Sequence, residues 1–437
     1  MLWYHDHAVD HTAENAYYGQ AGAYILHDSA EDSLGLPSGE YDVPLILSSK
    51  QYNEDGSLFS PADETDSLFG DIIHVNGQPW PFLKVEPRKY RFRFLDAAIS
   101  RSFFLYFERA TREGTKLDFN VIASDAGLLS GPQKVKDMYI SMAERYEIVF
   151  DFSAYKGENI TLRNTRDFAP DKDFRFTDRV MRFVVGNDAV TDGSQLPAAL
   201  RTIPYPKDTG KIDHHFKFER QGGHWAINGV TFSDIQNRVL AKPPRGTVEV
   251  WELENSSGGW SHPIHIHLID FKTLKREKGR GAVMPYESAG LKDVVWLGPG
   301  ETVTVEAHYA PWDGVYMFHC HNLIHEDHEM MAAFNVTALA DFGYNETHYI
   351  DPMEARWRSR PIVAADFEDD AVKQRVEMYA SFDPYSKVTE VEAKLEEYWS
   401  TKTAGGVTPT TTSAGGSTPT GKGGNKMRIR GSGRQTE

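Results

Sequence analysis

Short stretches rich in Val, Ile, Phe and Tyr alternate with turn residues along residues 40–340. Such residues favour strands, and many short strands separated by turns are typical of β-sandwiches. A segment with three prolines, 196–210, separates two groups of these stretches, and we interpret it as a linker. The pattern therefore predicts a mainly β protein. The predicted strands are Tyr41–Ser48, Tyr90–Leu95, Arg145–Phe152 and Val180–Val185 in the first group, and Thr247–Leu253, Thr302–Ala307, Val315–Phe318 and Ala332–Thr337 in the second.

The pattern changes beyond Asp351. Met353–Trp357 and Ala371–Ala380 are predicted helices. Val388, Val391, Leu395 and Tyr398 have the spacing of one helix face, which predicts a packing surface. The stretch 402–437 is rich in Thr, Gly and Ser with a basic end, so we expect it to be disordered.

Composition agrees with this picture and excludes some partners. The chain has 437 residues, enough for two or three domains, and its 36 Gly and 22 Pro suit a protein rich in turns. A formal net charge of −16 disfavours nucleic acids and anionic membranes as partners. No apolar stretch is long enough to span a membrane, and no signal peptide opens the chain.

Three histidine clusters carry the candidate chemistry: His5–His7, His262–His267 and His319–His325. The third contains Cys320, the only cysteine of the chain. One thiolate, two imidazoles and a weak thioether form the blue-copper electron-transfer set. Cys320, His325 and Met330 lie at a spacing that one loop can close, and His262 is the candidate for the second imidazole.

Two other interpretations of Cys320 carry less weight. A lone cysteine is often a small buried hydrophobic residue, but the flanking His319 and His321 disfavour that interpretation. Structural zinc sites usually contain several thiolates, and only one is available here.

The alternation of a strand separates these histidines into two sites. Gly314–Phe318 is β-branched and aromatic, which predicts a strand that continues into the cluster. Successive side chains of a strand point to opposite faces, so Cys320 faces away from His319 and His321. The clusters contain three H-x-H pairs: His5 with His7, His265 with His267, and His319 with His321. Each pair likewise presents two imidazoles on one face, which suits a multinuclear metal cluster. Pairs of solvated surface histidines are the alternative.

These motifs resemble the copper motifs of multicopper oxidases. Trp260–His267 and His319–Met330 are similar to the two C-terminal motifs of that family, and Trp3–His7 is similar to the second N-terminal motif. The resemblance covers about residues 1–385. Four further runs favour the bilirubin oxidase branch over plant-type laccases: Asp71–Phe82, Glu86–Asp96, Tyr139–Phe152 and Leu291–Gly298.

The resemblance implies four coppers in a complete enzyme and a role for each motif residue. It assigns Cys320, His262 and His325 to the type 1 copper, with Met330 as axial ligand. It assigns His265 to the type 2 copper. The implied type 3 ligands are His5, His7, His267, His319 and His321. Trp260 is expected beside the donor-binding surface. Glu326 is expected to relay protons to oxygen, with a plain surface carboxylate as the alternative.

The same resemblance implies cupredoxin-like Greek-key β-sandwich domains with a short helical C-terminal region. The predicted division is 1–38 for the C-terminal remnant of a first cupredoxin domain, 39–195 for a second, 196–210 for the linker, 211–345 for a third that carries the type 1 copper, 346–401 for a helical extension and 402–437 for the tail.

The expected function is oxidation of bilirubin, another tetrapyrrole or a phenol, coupled to four-electron reduction of O2 to water. A laccase-type phenol oxidase and a copper-binding electron carrier without oxidase activity stay open, and a two-domain copper nitrite reductase is disfavoured by the three H-x-H pairs. We expect a secreted monomer, on the resemblance and on N-x-S/T sequons at Asn159, Asn255, Asn335 and Asn345.

The chain departs from the family in one respect. The family uses four H-x-H pairs and this chain has three, so we expect one type 2 and one type 3 ligand upstream of Met1. A truncated gene model is the explanation that we favour. Unpaired strand edges and uncovered apolar faces promote aggregation. The chain expressed alone is therefore expected to be less soluble and less copper-loaded than a version with the upstream domain.

Overall fold

The structure is a computed structural model that describes residues 1–168, 173–207, 209–343, 363–381 and 387–404. Strands dominate its regular structure, which confirms the predicted mainly β class. The predicted helix Met353–Trp357 and the stretch from 405 onward lie outside the described residues.

The N-terminal segment contains a small sheet and two short helices. Strands β1 (Leu2–His5) and β2 (Ala21–Tyr24) pair antiparallel, with His5 opposite Ala21. Helix α1 (Thr12–Tyr17) lies between them in the chain, and α2 (Ser29–Asp32) follows. No helix was predicted for this segment, so α1 and α2 were missed.

Two sheets form a sandwich from residues 42–185, which we call the 42–185 sandwich. One sheet has the order β11-β10-β13-β7-β3-β4-β5, and the other has the order β12-β8-β14-β15-β6, with β9 paired to β8. All four strands predicted in this region are present. The strands are β3 (Asp42–Lys50), β4 (Ile72–Val75), β5 (Gln78–Pro79), β6 (Phe82–Val85), β7 (Lys89–Asp96), β8 (Phe103–Arg109), β9 (Arg112–Leu117), β10 (Phe119–Ser124), β11 (Gly127–Val135), β12 (Asp137–Ile140), β13 (Arg145–Asp151), β14 (Asn159–Asn164) and β15 (Arg179–Val185).

Alternation along these strands builds the core of the 42–185 sandwich. In β3, Leu45 and Leu47 are buried while their neighbours Pro44 and Ile46 are only half-buried. Phe107 and Phe183 of one sheet pack in the same cluster as residues of the other sheet, such as Phe150. Their ring centroids lie 4.5 Å (Phe107–Phe150) and 5.8 Å (Phe107–Phe183) apart.

A second pair of sheets forms the 214–336 sandwich. One sheet has the order β17-β16-β19-β23-β21 and the other has the order β18-β25-β24-β20-β22. The four predicted strands of this region are again present. The elements are β16 (His214–Gln221), β17 (His224–Ile227), β18 (Val239–Ala241), β19 (Val248–Asn255), β20 (His262–Ile266), β21 (Phe271–Glu277), α3 (Pro285–Ser288), β22 (Val294–Leu297), β23 (Thr302–His308), β24 (Gly314–Cys320), α4 (Leu323–Asp327) and β25 (Met331–Val336).

Two helices follow the sandwiches: α5 (Asp369–Ala380) and α6 (Val388–Ala404). Val391 and Leu395 of α6 are buried, and Trp399 Nε1 donates to the Arg245 carbonyl at 3.0 Å, so the predicted stripe is a packing surface. Helix α6 continues to Ala404, three residues into the stretch 402–437 that was predicted to be disordered. Lys402 Nζ lies 2.7 Å from Asp341 Oδ2, an ion pair that helps hold this end of the helix.

No helix among the described residues is long and apolar enough to cross a membrane. The predicted domain limits stay predictions.

Candidate metal centre

Strand pairing within the 214–336 sandwich brings two of the histidine clusters together. Strand β20 lies between β22 and β24, and Ile264 is opposite Cys320 while His265 is opposite His319. Residues opposite each other on paired strands point to the same face of the sheet. Cys320 therefore shares a face with Ile264, and with the position of His262 two residues earlier. His265 and His319 share the other face.

The first face carries a buried group of one sulfur and two imidazoles. His262 Nδ1 lies 3.4 Å and His325 Nδ1 lies 3.7 Å from Cys320 Sγ. The two Nδ1 atoms are 3.1 Å apart. All three residues have a relative exposure of 0%. We call His262, Cys320 and His325 the thiolate cluster.

A tight loop places His325 and Met330 around Cys320. The Cys320 amide donates to the Met330 carbonyl at 3.1 Å, and the Met330 amide donates to the His325 carbonyl at 2.9 Å. The Asn322 amide donates to Cys320 Sγ at 3.4 Å. Met330 is fully buried in the same hydrophobic cluster as Cys320. Helix α4 lies within this loop and carries His325.

The second face carries a larger group of imidazoles. Ligand atoms of His265, His267 and His319 lie within 4.8 Å of one another, and the Nε2 atoms of His267 and His319 are 3.2 Å apart. The His321 ring centroid is 5.5 Å from that of His319, and its Nδ1 is buried without a hydrogen-bond partner. A buried nitrogen without a hydrogen-bond partner, such as His321 Nδ1, is expected of a group that binds a metal.

The N-terminal segment contributes the third histidine pair to this group. The ring of His5 lies 5.0 Å from that of His321 and 4.1 Å from that of His7, between centroids. His5 Nδ1 lies 2.7 Å from the Asp6 carbonyl, and His7 Nδ1 lies 2.8 Å from the His5 carbonyl. Both rings therefore keep Nε2 free. We call the six imidazoles of His5, His7, His265, His267, His319 and His321 the imidazole cluster.

Protein acceptors orient several of these rings through the nitrogen that faces away from its cluster. His262 Nε2 lies 2.7 Å from Ser257 Oγ, and His265 Nδ1 lies 2.8 Å from the Asp293 carbonyl. His319 Nδ1 lies 3.0 Å from Glu326 Oε2. Metal-binding histidines characteristically use the second nitrogen in this way, because the bond fixes the tautomer and the ring orientation.

Burial keeps most of these imidazoles neutral at physiological pH. Burial lowers the pKa of His262 to about 3. Burial and the neighbouring His319 lower the pKa of His265 to about 3, and burial and His7 lower that of His5 to about 4. Burial also raises the pKa of the Cys320 thiol well above its ordinary value. A thiolate at this position therefore needs a cation beside it, whereas neutral imidazoles are ready to bind one.

The two clusters fit copper. A lone thiolate with two imidazoles and a methionine nearby is the donor set of blue-copper sites, whereas structural zinc sites usually use more thiolates. The imidazole cluster provides several further borderline ligands, of which those of His265, His267 and His319 lie within 4.8 Å of one another. Glu326 is buried, with 7% relative exposure, which is not the surface carboxylate considered as the alternative.

Three contacts of the thiolate cluster were not foreseen from the sequence. The Trp225 ring lies 3.9 Å from that of His325, between centroids, and is tilted by 31°. Asn322 Nδ2 lies 3.2 Å from His325 Nε2. The third is the Ser257 contact to His262. Asn322 lies inside the copper loop and Ser257 lies close to His262 in the chain, so both could have been suspected, whereas Trp225 approaches only through tertiary packing. Trp260, which was foreseen, is half-buried and lies 5.8 Å from His325 between ring centroids.

Comparison with known proteins gives concordant results. The sequence profile of the family described as multicopper oxidase matches residues 205–339. The chain is 58% identical to bilirubin oxidase from Albifimbria verrucaria over 89% of this chain and 71% of that protein. It is 36% identical to a laccase from Bacillus subtilis (strain 168) over 77% of this chain and 70% of that protein.

The fold is also similar to that of solved structures. The McoA multicopper oxidase from the hyperthermophile Aquifex aeolicus superposes with a TM-score of 0.70 at 31% identity, over 77% of this chain and 75% of that one. A laccase from Pediococcus acidilactici superposes with a TM-score of 0.66 at 30% identity, over 77% and 69%. These neighbours confirm the expected cupredoxin-like fold.

Proposed function

Because this chain belongs to the multicopper oxidase family, we propose that it oxidises bilirubin or a related tetrapyrrole, or a phenol, with O2 as acceptor. The chain is a copper-dependent oxidoreductase that uses O2 and small-molecule donors. Four one-electron oxidations of the donor balance the reduction of one O2, with four protons, to two waters. Bound copper supplies reversible one-electron transfer and the reduction of oxygen.

One observation carries the proposal: Cys320 belongs to the thiolate cluster, and its neighbours in the chain, His319 and His321, belong to the imidazole cluster. The backbone of one strand therefore joins two buried ligand groups on opposite faces of the sheet. A short covalent connection of this kind suits a protein that takes electrons from a donor at one site and uses them at another.

The resemblance to the copper motifs of multicopper oxidases implies a role for each ligand. His262, Cys320 and His325, with Met330 as axial ligand, would hold the type 1 copper. His265 would hold the type 2 copper. The type 3 pair would be held by His5, His7, His267, His319 and His321. The convergence of the imidazoles and the unpartnered Nδ1 of His321 support this assignment.

Trp260 is proposed to border the donor site. It is half-buried, and its ring meets that of Trp225 edge to face at 5.7 Å, beside the buried His325. An exposed or half-buried aromatic residue offers a flat donor a surface for stacking. Bilirubin is favoured over a phenol because the identity to the bilirubin oxidase, 58%, exceeds that to the laccase, 36%.

Glu326 is proposed to carry protons toward the imidazole cluster. Its carboxylate lies 3.0 Å from His319 Nδ1, and it lines a cavity of about 540 Å³ together with His267 and His319. A carboxyl group within hydrogen-bond distance of the reacting region is a suitable general acid.

We also propose that the chain is secreted and monomeric. Of the sequon asparagines, Asn159 is exposed, whereas Asn255 is buried and its Nδ2 donates to the Trp260 and Gly298 carbonyls at 2.6 and 2.8 Å. Recovery from the medium of a secreting host, with a glycan on Asn159 and elution at the mass of one chain, would support both. Recovery only from the cells, or elution as an oligomer, would contradict them.

Copper content and oxygen uptake test the function. The copper-loaded chain should show the strong blue thiolate absorption and consume O2 with bilirubin and, more slowly, with a simple phenol. Cys320→Ser should lose the absorption and the uptake together. Glu326→Gln should keep the absorption and lower oxygen uptake by about 10²-fold, the usual size of a proton-transfer contribution. Blue absorption without any oxygen uptake in the unaltered chain would instead identify an electron carrier.

A further inference from the structure

Beside the imidazole cluster, an ion pair between Arg145 and Asp293 connects the 42–185 sandwich with the 214–336 sandwich. Arg145, at the start of β13, reaches Asp293, just before β22. Its Nη1 and Nη2 donate to the two carboxylate oxygens of Asp293 at 2.7 and 2.6 Å. Arg145 has a relative exposure of 2%. A bidentate guanidinium–carboxylate pair fixes both distance and orientation, which a single ammonium contact does not.

Asp125 contacts both members of this ion pair. Its Oδ1 accepts from the Arg145 amide at 2.7 Å, and its Oδ2 accepts from the Asp293 amide at 3.3 Å. Its backbone carbonyl accepts from Arg145 Nη2 at 3.1 Å. Lys292 Nζ, which is also buried, lies 2.9 Å from Asp125 Oδ2. Residues of the 42–185 sandwich therefore hold Asp293 together with its own sheet, in which the Ile266 amide donates to the Asp293 carbonyl at 3.2 Å.

Asp293 in turn determines the orientation of His265. The Asp293 carbonyl is the partner of His265 Nδ1 at 2.8 Å, which leaves Nε2 for the imidazole cluster. Arg145, Asp293 and His265 also line one cavity of about 210 Å³ together with His5, His7 and His321. The ion pair of Arg145 and Asp293 is thus connected to His265, the residue to which the proposed function assigns the type 2 copper.

We propose that Arg145 and Asp125 are positioning residues for His265, so that the 42–185 sandwich contributes to the geometry of a metal ligand in the 214–336 sandwich. The inference rests on the proposed function, because it takes His265 as a copper ligand. Its physical basis is that the partner of a metal-binding imidazole controls both its tautomer and its direction, and loss of such a partner typically costs 10–100-fold in metal affinity.

A second buried pair supplies a matched control. Arg276 Nε and Nη2 donate to Glu287 at 3.2 and 2.6 Å, and both residues are fully buried. The other acceptors of Arg276 are the Trp296 carbonyl and Glu301, at 2.8 and 3.1 Å. Neither Arg276 nor Glu287 has a hydrogen bond to a histidine in the part of the chain that the structure describes.

The test compares Arg145→Lys, Asp293→Asn and Arg276→Lys with the unaltered full chain. Copper is titrated into each, and the type 2 signal in electron paramagnetic resonance, the blue thiolate absorption and the melting temperature are recorded. Arg145→Lys should weaken copper binding at the type 2 site about 10-fold or more, or change its hyperfine splitting, and should keep the blue absorption. Asp293→Asn retains the backbone carbonyl that contacts His265, so it should show the same change to a smaller degree. This variant still tests the inference if Arg145→Lys fails to fold.

The control separates positioning from stability. Arg276→Lys should lower the melting temperature without changing the type 2 signal. If Arg145→Lys and Asp293→Asn behave like Arg276→Lys, the positioning inference is overturned. His265→Ala tests the ligand assignment separately from the positioning inference. A type 2 signal that survives in His265→Ala would overturn the assignment of His265 to the type 2 copper. Loss of the signal in His265→Ala, with a weakened or altered signal in Arg145→Lys and Asp293→Asn but not in Arg276→Lys, supports both.

Discussion

At the scale of single residues, position along a strand decides the chemistry. Cys320 and His319 are neighbours in the chain, yet one faces His262 and His325 while the other faces His265 and His267. A shift of one residue in the register of β24 would exchange the two faces and destroy both clusters, because side chains alternate with a period of two. This strict dependence explains why strand alternation alone separates these residues correctly.

Met330 provides a prediction at this scale. We expect Met330→Leu to raise the type 1 reduction potential, because an axial thioether stabilises oxidised copper and an aliphatic side chain does not. Redox titration of the blue absorption measures the effect. Met331→Leu is the control, since the neighbouring residue in β25 pairs with His319 instead of closing the thiolate loop. An unchanged or lower potential in Met330→Leu would count against Met330 as the axial ligand.

At the scale of elements, short helices attach the N-terminal segment to the copper loop. Asp327 at the end of α4 accepts from the Thr12 and Ala13 amides of α1, at 3.0 and 2.7 Å. Free amides at the start of a helix are satisfied by such a carboxylate, which also interacts favourably with the helix dipole. Through α1, this contact holds the segment that carries His5 and His7.

Removal of the Asp327 carboxylate should loosen this attachment. We expect Asp327→Ala to lower the free energy of unfolding by about 2 kcal/mol, the usual contribution of hydrogen bonds to a charged group. Amide hydrogen exchange should accelerate at Thr12 and Ala13 and within α1. Asp327→Asn keeps an acceptor oxygen and should show a smaller change. Unaltered exchange of α1 in Asp327→Ala would refute the role of this contact.

At the scale of the whole molecule, the imidazole cluster draws ligands from distant parts of the chain. His5 and His7 come from the N-terminal segment, and the other imidazoles come from β20, β24 and the residues that follow these strands. A metal bound by such a set crosslinks the segments and stabilises only the folded state.

Copper removal should therefore lower the thermal stability of the whole chain. At a free copper concentration 1,000 times the dissociation constant, a single site contributes about 4 kcal/mol. Treatment with a chelator should lower the melting temperature, and added copper should restore it. Cys320→Ser should retain the part of the shift that comes from the imidazole cluster. Equal melting temperatures with and without copper would show that the clusters do not link folding to metal binding.

Several features could be predicted from the sequence because their signals are local. The strand-forming stretches gave the mainly β class and all eight strands proposed in the two sandwiches. The helices within 1–38 were missed, since α1 and α2 have only six and four residues, too few to establish a helical period. Helix α6 extends three residues into the predicted tail, where Lys402 pairs with Asp341, a residue far away in the chain.

The sequence by itself determined the ligand types, their spacing and their distribution over the two faces of a strand. These follow from covalent connectivity and from the period of the β-strand, neither of which requires a partner element. Only the tertiary structure decided which distant groups contact the candidate ligands, namely Trp225 beside His325 and Asp293 with Arg145 beside His265. Such contacts depend on how β20, β17 and the two sandwiches pack against each other, and no local pattern of residue types encodes that packing.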